Sequence, residues 1–146
     1  MVKIFVPDPF YLNYVSFASS TISTHPKIIN NFCFWPYVKD AVGAINGSHI
    51  PASPLQCDRA IYCNCKGFVS QNCLFVCDFG MKFTYVLTGW EGSAMDMQIL
   101  QDACTSSLNI PAGKYFLADD GFPLTPEPLY LIAAPAITWL SGARCH

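Results

Sequence analysis

The sequence has few charged residues and no cluster of basic ones. Charged residues make up 12% of its 146 residues, and the formal net charge at pH 7 is -2. The lysines and arginines, eight in all, are spread along the chain. A basic stripe, the electrostatic footprint of many nucleic-acid-binding surfaces, is therefore absent. Composition alone argues against a DNA-binding protein.

Long apolar runs are lacking as well. The best one, from Leu129 to Leu140, is 12 residues long and contains Pro135, whereas a membrane-spanning helix needs about 20 apolar residues. Near the N-terminus, Pro7, Asp8 and Pro9 interrupt the apolar start before it reaches the length of a signal-peptide core. We therefore expect no membrane segment and an intracellular location.

The sequence contains no Cys-x-x-Cys pair, although it has eight cysteines. Cys73 and Cys77, if they lie on one strand, would be about 13 Å apart, too far to share a tetrahedral zinc ion. A reducing compartment favours free thiols over disulfides. His49 stands alone in the central part of the chain and is more typical of a hydrogen-bonded structural residue than of a base. A Cys/His nucleophile pair stays open, but no flanking pattern supports one.

What the sequence does have is enough apolar material for one folded domain. Hydrophobic residues make up 52% of the chain, which excludes a disordered protein. Residues 1–34 mix aromatic residues with Ser and Thr and show no sustained periodicity, so we expect a loosely structured lead-in there. Residues 35–146 would then form the domain.

Periodicity predicts a strand, a hairpin, a helix and a further strand. The first strand covers Val42 to His49, with Val42, Ala44 and Asn46 on one face because strand side chains alternate. The hairpin pairs two runs around the Asp78-Phe79-Gly80 turn, and its second strand should carry one face made of Phe83, Tyr85 and Leu87. Those two runs are Ser70 to Cys77 and Lys82 to Thr88.

The helix should begin at Ser93, which precedes Asp96 by three residues as in a capping box, and end near Ser107. Lys114 to Ala118 is the predicted last strand, and Asp119 follows it directly. A helix that joins two strands lies over the sheet. The order of elements therefore predicts an α/β fold with a mixed sheet and a crossover helix on one face.

Acidic residues at strand and helix ends can meet at one edge of a sheet, and Asp96 and Asp119 are the candidates. Oxygen ligands suit Mg²⁺ and Mn²⁺, and two such ions can stabilise a phosphodiester displacement. Each residue also has a structural interpretation. Asp96 would cap the helix by accepting from the Ser93 amide, and Asp119 would begin an Asp-Gly turn.

A collinear set of segments resembles the DDE superfamily endonuclease domain of PIF/Harbinger transposases and of nucleases derived from them. The resemblance runs from about Phe34 to near the C-terminus. The matching stretches are Phe34–Asp40, Gly43–Ile50, Lys66–Gly67, Ser70–Asn72, Cys77–Phe79, Phe83–Leu87, Gly89–Ala94 with Asp96, Gly113–Asp119 and Gly121–Pro123.

The resemblance implies a ribonuclease H-like fold in which carboxylates bind divalent metal, Mg²⁺ or Mn²⁺, and cleave DNA. Asp96 and Asp119 match acidic positions of the family. Asn46 stands where the family pattern Ala-Ile-Asp-Gly-Thr-His has its Asp, and a neutral amide there would weaken a metal site. The family's last carboxylate, a Glu, lies on a helix beyond the segment that would follow His146, so we expect the C-terminal part of the domain to be missing.

Three functional hypotheses follow. The first is a metal-dependent DDE-type endonuclease, impaired by Asn46 and by the missing Glu. The second is a non-catalytic, transposase-derived remnant with residual metal or partner binding. The third is a fragment that does not fold alone, because one side of its sheet would be uncovered. The resemblance also implies DNA as substrate, a Myb-like DNA-binding partner protein and a nuclear location.

Overall fold

A five-stranded mixed sheet with one long helix on its face forms the fold. The computed structural model describes residues 23–118, residue 122 and the backbone of residues 131–133. The elements in chain order are α1 (Pro26–Ile29), β1 (Ala41–Pro51), β2 (Ser70–Cys77), β3 (Phe83–Glu91), α2 (Asp96–Ser106), β4 (Tyr115–Ala118) and β5 (Leu131–Ala133).

The strand order in the sheet is β3-β2-β1-β4-β5. β2 pairs antiparallel with both β1 and β3, whereas β4 runs parallel to β1 and β5 runs parallel to β4. The chain crosses from the edge strand β3 to β4 through α2. This topology confirms the predicted mixed α/β fold with its crossover helix, and it is compatible with the ribonuclease H-like arrangement. β1 is therefore the central strand, with an antiparallel neighbour on one side and a parallel neighbour on the other.

The main core lies between the sheet and α2. Ile99, Leu100 and Ala103 lie on one face of the helix, at spacings of one, three and four residues, and are fully buried against the strands. The strand residues that form the other side of this core are Val42, Ile45, Leu74, Val76, Tyr85, Phe116 and Ala118. Burial of these side chains fixes which face of each strand is turned toward α2.

The hairpin of β2 and β3 is as predicted, but the predicted face of β3 is wrong for Phe83. Tyr85 pairs with Val76 and packs in the core, whereas Phe83 pairs with Cys77 on the opposite face. The reason is a register irregularity between Val76 and Cys77, which shifts the alternation by one residue. Strand periodicity alone does not reveal such a bulge.

The predicted start of the long helix is also wrong. The N-cap residue is Met95, not Ser93, and the amide of Met95 donates to Oε1 of Gln98 at 3.1 Å. The amide of Ser93 donates instead to the carbonyl of Ile61, 3.1 Å away. Asp96 is thus the first residue of the helix. The structural interpretation required its carboxylate to accept from the Ser93 amide, and that interpretation is wrong. The predicted end near Ser107 is confirmed.

The expected loosely structured lead-in, residues 1–34, falls mostly outside the described residues. Its last part contains the unpredicted one-turn helix α1, whose N-cap His25 accepts from the amide of Lys27. Ile28 is 1% exposed and packs with Val38, Ala41 and Tyr115 in a second, smaller core. The strand β5, at the edge of the sheet beside β4, was also not predicted.

Six of the described cysteines are free, as expected: Cys57, Cys63, Cys65, Cys73, Cys77 and Cys104. The expectation is wrong for Cys33, which is disulfide-bonded. None of the helices in the described ranges is long and apolar enough to cross a membrane.

Candidate functional site at the central strand

The two faces of β1 have different surroundings. Ile45 and Gly47 point toward α2, since Ile45 belongs to the core and Gly47 lies against Asp96. Successive strand residues point to opposite faces. Asn46 and Ser48 therefore lie on the other face, which we call the open face, and both are exposed.

The open face carries a shallow groove with a volume of about 370 Å³. Its lining is apolar apart from Asn46 and Ser48, and the rings of Phe75 and Phe83 form its wall with their centroids 5.5 Å apart. Asn46 pairs directly with Phe75 across the β1–β2 ladder. The side chain of residue 46 is thus presented to solvent beside an apolar wall.

The carboxylate of Asp96 lies against the other face of β1, and Asp96 is half-buried. Its Oδ1 accepts a hydrogen bond from Nδ2 of Asn72 at 2.7 Å. A Cβ placed on Gly47 would overlap Oδ1 of Asp96 and lie 2.7 Å from Oδ2. Asp96 also occupies the first turn of α2, where a negative charge interacts favourably with the helix dipole. Its carboxylate therefore accepts a hydrogen bond from Asn72 and lies against Gly47.

The structure describes two of the three predicted site residues. Asn46 lies on the open face of β1, and the carboxylate of Asp96 lies against Gly47, the residue next to Asn46, on the α2 side. Asp119, the third candidate, lies outside the described residues. The two that can be placed thus flank the central strand from opposite faces.

A polar network ties the end of β1 to β2. Nδ1 of His49 and Oγ of Ser70 are hydrogen-bonded at 3.1 Å, and Nδ2 of Asn64 donates to the same Oγ at 3.1 Å. Asn64 and Ser70 are buried. His49 is hydrogen-bonded within the fold, in line with the structural role expected for it, and the network fixes the register of the strands beyond Asn46.

The described residues do not fit a divalent metal ion on their own. No three His, Cys, Asp or Glu side chains within the described ranges are grouped closely enough to hold one. Position 46 offers an uncharged amide oxygen, and Asp96 adds a single carboxylate. Mg²⁺ and Mn²⁺ are bound through carboxylates, usually one or two of them. A metal site here would need contributions from outside the described residues.

Comparison with known proteins identifies the family. The sequence profile described as DDE superfamily endonuclease matches residues 45–138, about two thirds of the chain. The chain therefore belongs to the DDE superfamily endonuclease family. The matched range includes Asn46, Asp96 and Asp119. No solved structure matches the chain.

The chain is also similar to curated proteins named "Putative nuclease HARBI1". The rat protein (Rattus norvegicus) is 33% identical over 101 residues, which is 65% of this chain and 29% of the relative. The human protein is 32% identical over 102 residues, or 65% of this chain and 29% of the relative. The bovine protein (Bos taurus) is 31% identical over 106 residues, which is 68% of this chain and 30% of the relative. The chain spans about three tenths of the length of these relatives.

Sequence reasoning did not single out Gly47 or Asn72, the two residues that contact Asp96. Asn72 stands in β2 among Cys73, Leu74 and Val76 and is 1% exposed. A buried amide in an apolar strand is costly unless its hydrogen bonds are made. That pattern was the available signal that Asn72 has a specific partner.

Proposed function

We propose that this chain is part of a DDE-type endonuclease domain that acts on DNA phosphodiesters, with Asn46 in place of the first carboxylate. The position of residue 46 carries the proposal. It lies exposed on the open face of the central strand, where a substrate as large as duplex DNA has access. Membership of the DDE superfamily endonuclease family supports the same substrate.

The strand register supports Asp119 as the second carboxylate. β1 and β4 run parallel, with Ala44 paired to Leu117. In the sequence, Asn46 follows Ala44 by two residues and Asp119 follows Leu117 by two. This equal spacing from a paired position agrees with the family resemblance, in which both positions match acidic residues.

The amide at position 46 is expected to lower activity. In this family a divalent metal would neutralise the charge that develops during phosphodiester cleavage. Asn46 can offer only an uncharged carbonyl oxygen, so its affinity for such an ion is lower than that of a carboxylate. We accordingly propose that the chain cleaves DNA weakly or not at all until residue 46 is acidic.

The test is the Asn46→Asp variant of the 146-residue chain, assayed for Mn²⁺ affinity by calorimetry and for nicking of supercoiled plasmid. We expect Mn²⁺ to bind at least about tenfold more tightly than to the wild type, which corresponds to about 1.4 kcal/mol. Nicking should rise with Mn²⁺ occupancy. The double variant Asn46→Asp with Asp119→Ala should lose the gain in Mn²⁺ affinity and in nicking.

Ser48→Asp is the matched control, because it adds the same charge to the same exposed face two residues away. It should leave Mn²⁺ affinity and nicking at the wild-type level. The proposal fails if Ser48→Asp raises Mn²⁺ affinity and nicking as much as Asn46→Asp does, or if Asn46→Asp raises neither.

The second candidate function is that of a non-catalytic remnant that binds DNA or a protein partner. The neutral amide of Asn46 favours it. An Asn46→Asp variant that unfolds cooperatively but neither binds Mn²⁺ nor nicks DNA would support this candidate. A Myb-like DNA-binding partner and a nuclear location, both implied by the family resemblance, are compatible with either function.

A further inference from the structure

The groove on the open face joins an aromatic wall to a side-chain amide. The rings of Phe75 and Phe83 form the wall, and Phe83 is 51% exposed. Asn46 pairs with Phe75 across the β1–β2 ladder, and the Cβ atoms of directly opposed residues lie about 4.5–5.5 Å apart. We propose that this groove binds one unpaired nucleobase of DNA, adenine in preference to the others, which stacks on Phe83 and is hydrogen-bonded at its edge by Asn46.

The groove has room for a base. Its volume is about 370 Å³, and small-molecule sites in proteins usually have about 300–1,000 Å³. Ala44 pairs with Cys77, and Cys77 pairs with Phe83, so these three residues form one row across β1, β2 and β3. The side chains of Ala44 and Cys77 are short. A flat ring can therefore lie over them, with its face toward the aromatic wall and one edge toward residue 46.

The polar part of the lining favours a nucleobase over an apolar side chain of a protein partner. Asn46 and Ser48 both line the groove, and an apolar occupant would cover their polar atoms without pairing them, which costs free energy. An amide side chain offers an acceptor oxygen and two donor hydrogens. Adenine presents a donor, N6, beside an acceptor, N7, and an amide side chain can bond both at once. Asn46 therefore matches this edge, whereas a carboxylate would repel N7.

Stacking also provides a way to hold DNA with little positive charge. The eight lysines and arginines are spread along the sequence, and the net charge is -2. Phosphate contacts by basic side chains supply much of the affinity of DNA-binding proteins and make it salt-dependent. A base that stacks on an aromatic ring is bound through its uncharged face. The contribution of the groove to affinity should therefore change little with salt concentration.

This inference rests on the proposed function for its substrate, DNA, but it requires neither a metal ion nor cleavage. Bases inside a duplex are stacked and paired, and turning one out costs free energy. A strand end with one unpaired nucleotide presents its base without that cost. Such an end is therefore the best probe of the groove.

The test compares two DNA hairpins that differ by one nucleotide, using the 146-residue chain in EDTA and fluorescence anisotropy. One hairpin has a blunt end, and the other carries a single unpaired adenine nucleotide. We expect the second to bind about 5–150-fold more tightly, the range for one stacked base. An abasic nucleotide at the same position should give the affinity of the blunt hairpin. Equal affinities for the adenine and abasic hairpins would overturn the proposal.

Variants of Phe83 assign the preference to the groove. Phe83→Leu keeps an apolar side chain without a ring and should abolish the preference for adenine over the abasic nucleotide, whereas Phe83→Tyr should keep it. Phe68→Leu is the matched control, because Phe68 is 43% exposed and does not line the groove. A preference that survives Phe83→Leu in a chain that still unfolds cooperatively, or that Phe68→Leu also removes, would contradict the assignment.

Asn46→Asp gives a second arm, in which the two proposals predict opposite changes. The proposed function expects Mn²⁺-dependent nicking to rise. The preference for adenine over the abasic nucleotide, measured in EDTA, should fall at least about fivefold, because the carboxylate has no donor for N7. General repulsion of the phosphates cancels in this comparison. An unchanged preference would overturn the role of the amide. Nicking by a chain whose wild type shows no adenine preference would leave the proposed function standing and overturn this inference alone.

A competitor separates a base within DNA from a free nucleotide. Deoxyadenosine monophosphate carries the same base but lacks the rest of the DNA end. It should displace the adenine hairpin only in large excess. Displacement at equal concentration would show that the groove takes a free nucleotide, and it would overturn the assignment to DNA.

Discussion

The amide of Asn72 donates a 2.7 Å hydrogen bond to the carboxylate of Asp96, which joins the second strand of the sheet to the first turn of the long helix. Asn72 is also the residue that pairs with His49 of β1 and Trp90 of β3. One buried side chain therefore lies where three strands and α2 meet. The stability of the fold should therefore be sensitive to a charge introduced at residue 72.

Asn72→Asp should be strongly destabilising, because it places a second carboxylate at hydrogen-bond distance from that of Asp96. We expect a loss of about 3 kcal/mol in the free energy of unfolding, at the upper end for a broken buried hydrogen bond. The loss should shrink as pH falls toward about 4, since one carboxyl of the pair then becomes protonated and can donate to the other. Urea unfolding of the variant and the wild type over this pH range measures it. Gln71→Asp adds the same charge one residue earlier, on the opposite face, and should change stability little; equal losses would argue against the Asn72–Asp96 contact.

Tyr115 should make stability sensitive to alkaline pH. Its hydroxyl donates to the carbonyl of Tyr37 at 3.1 Å, and burial, with the negative charge of Asp40 as a smaller cause, raises the pKa of Tyr115 above its usual value. The neutral phenol is favoured in the fold. Its contribution is therefore complete below about pH 10, the pKa in the unfolded chain, and is lost as pH rises through the raised pKa of the folded state.

Tyr115→Phe should cost about 1 kcal/mol at neutral pH and make the decline of stability above about pH 10 less steep. Denaturant unfolding at a series of pH values checks both effects. Tyr37→Phe is the control: it removes a phenol that is 44% exposed as a residue and keeps the carbonyl that accepts from Tyr115. A Tyr37→Phe profile as altered as that of Tyr115→Phe would rule out this explanation.

The free cysteines should fall into two reactivity classes. Burial raises the pKa of the Cys73 thiol, an effect that a hydrogen bond from the backbone of Gly89 partly opposes, and burial also raises the pKa of Cys104. Thiolate is the reactive form. At about pH 8, near the ordinary thiol pKa, a thiol reagent should therefore label the exposed residues Cys57, Cys63 and Cys65 before Cys73 and Cys104.

Mass mapping of labelled peptides at successive times gives the order. Labelling in denaturant serves as the control, because all five thiols should then react at similar rates. Early modification of Cys73 in the folded protein would contradict its burial.

Met81→Gly should stabilise the hairpin. Met81 lies in the turn between β2 and β3, has a φ of 64°, and is 80% exposed. A side chain in this left-handed region costs about 1 kcal/mol that glycine does not, whereas the exposed methionine contributes little packing. We expect a gain of about 0.5–1 kcal/mol in the free energy of unfolding. Lys82→Gly, at the next residue, where φ is not positive, should instead lose stability, and a gain there would refute the conformational explanation.

The sequence was sufficient to predict β1 to β4 and α2 in their chain order, because burial of one face imposes a period of two or 3.6 residues, whereas α1 and β5 were not predicted. Periodicity did not predict Phe83 correctly, since a bulge between Val76 and Cys77 reversed the alternation. It also did not locate the helix start, because Ser93 bonds to Ile61, 32 positions away along the chain. Long-range hydrogen bonds of this kind leave no local pattern.

The sequence predicted which residues belong to the candidate site, but it did not predict how their side chains are arranged. The family resemblance placed Asn46 at a ligand position, and the structure presents it on an exposed face of the central strand. The resemblance could not show that Asp96 lies against Gly47 on the α2 side of β1, because the direction of its side chain depends on how β1 and β2 pack against α2. Gly47 and Asn72 escaped notice for the same reason: their importance lies in one contact each with Asp96.

The exposure of Asn46 has an evolutionary consequence. The side chains that hold β1 in place are those of the α2 side and of the polar network at its end, and the side chain of residue 46 is not among them. An exchange of Asp and Asn at this position therefore changes charge without changing the core. A stable fold does not require a carboxylate here, so its retention would depend on the function of the site. A lineage that no longer needs the chemistry is free to lose the acid in a single step and, by the same step, to regain it.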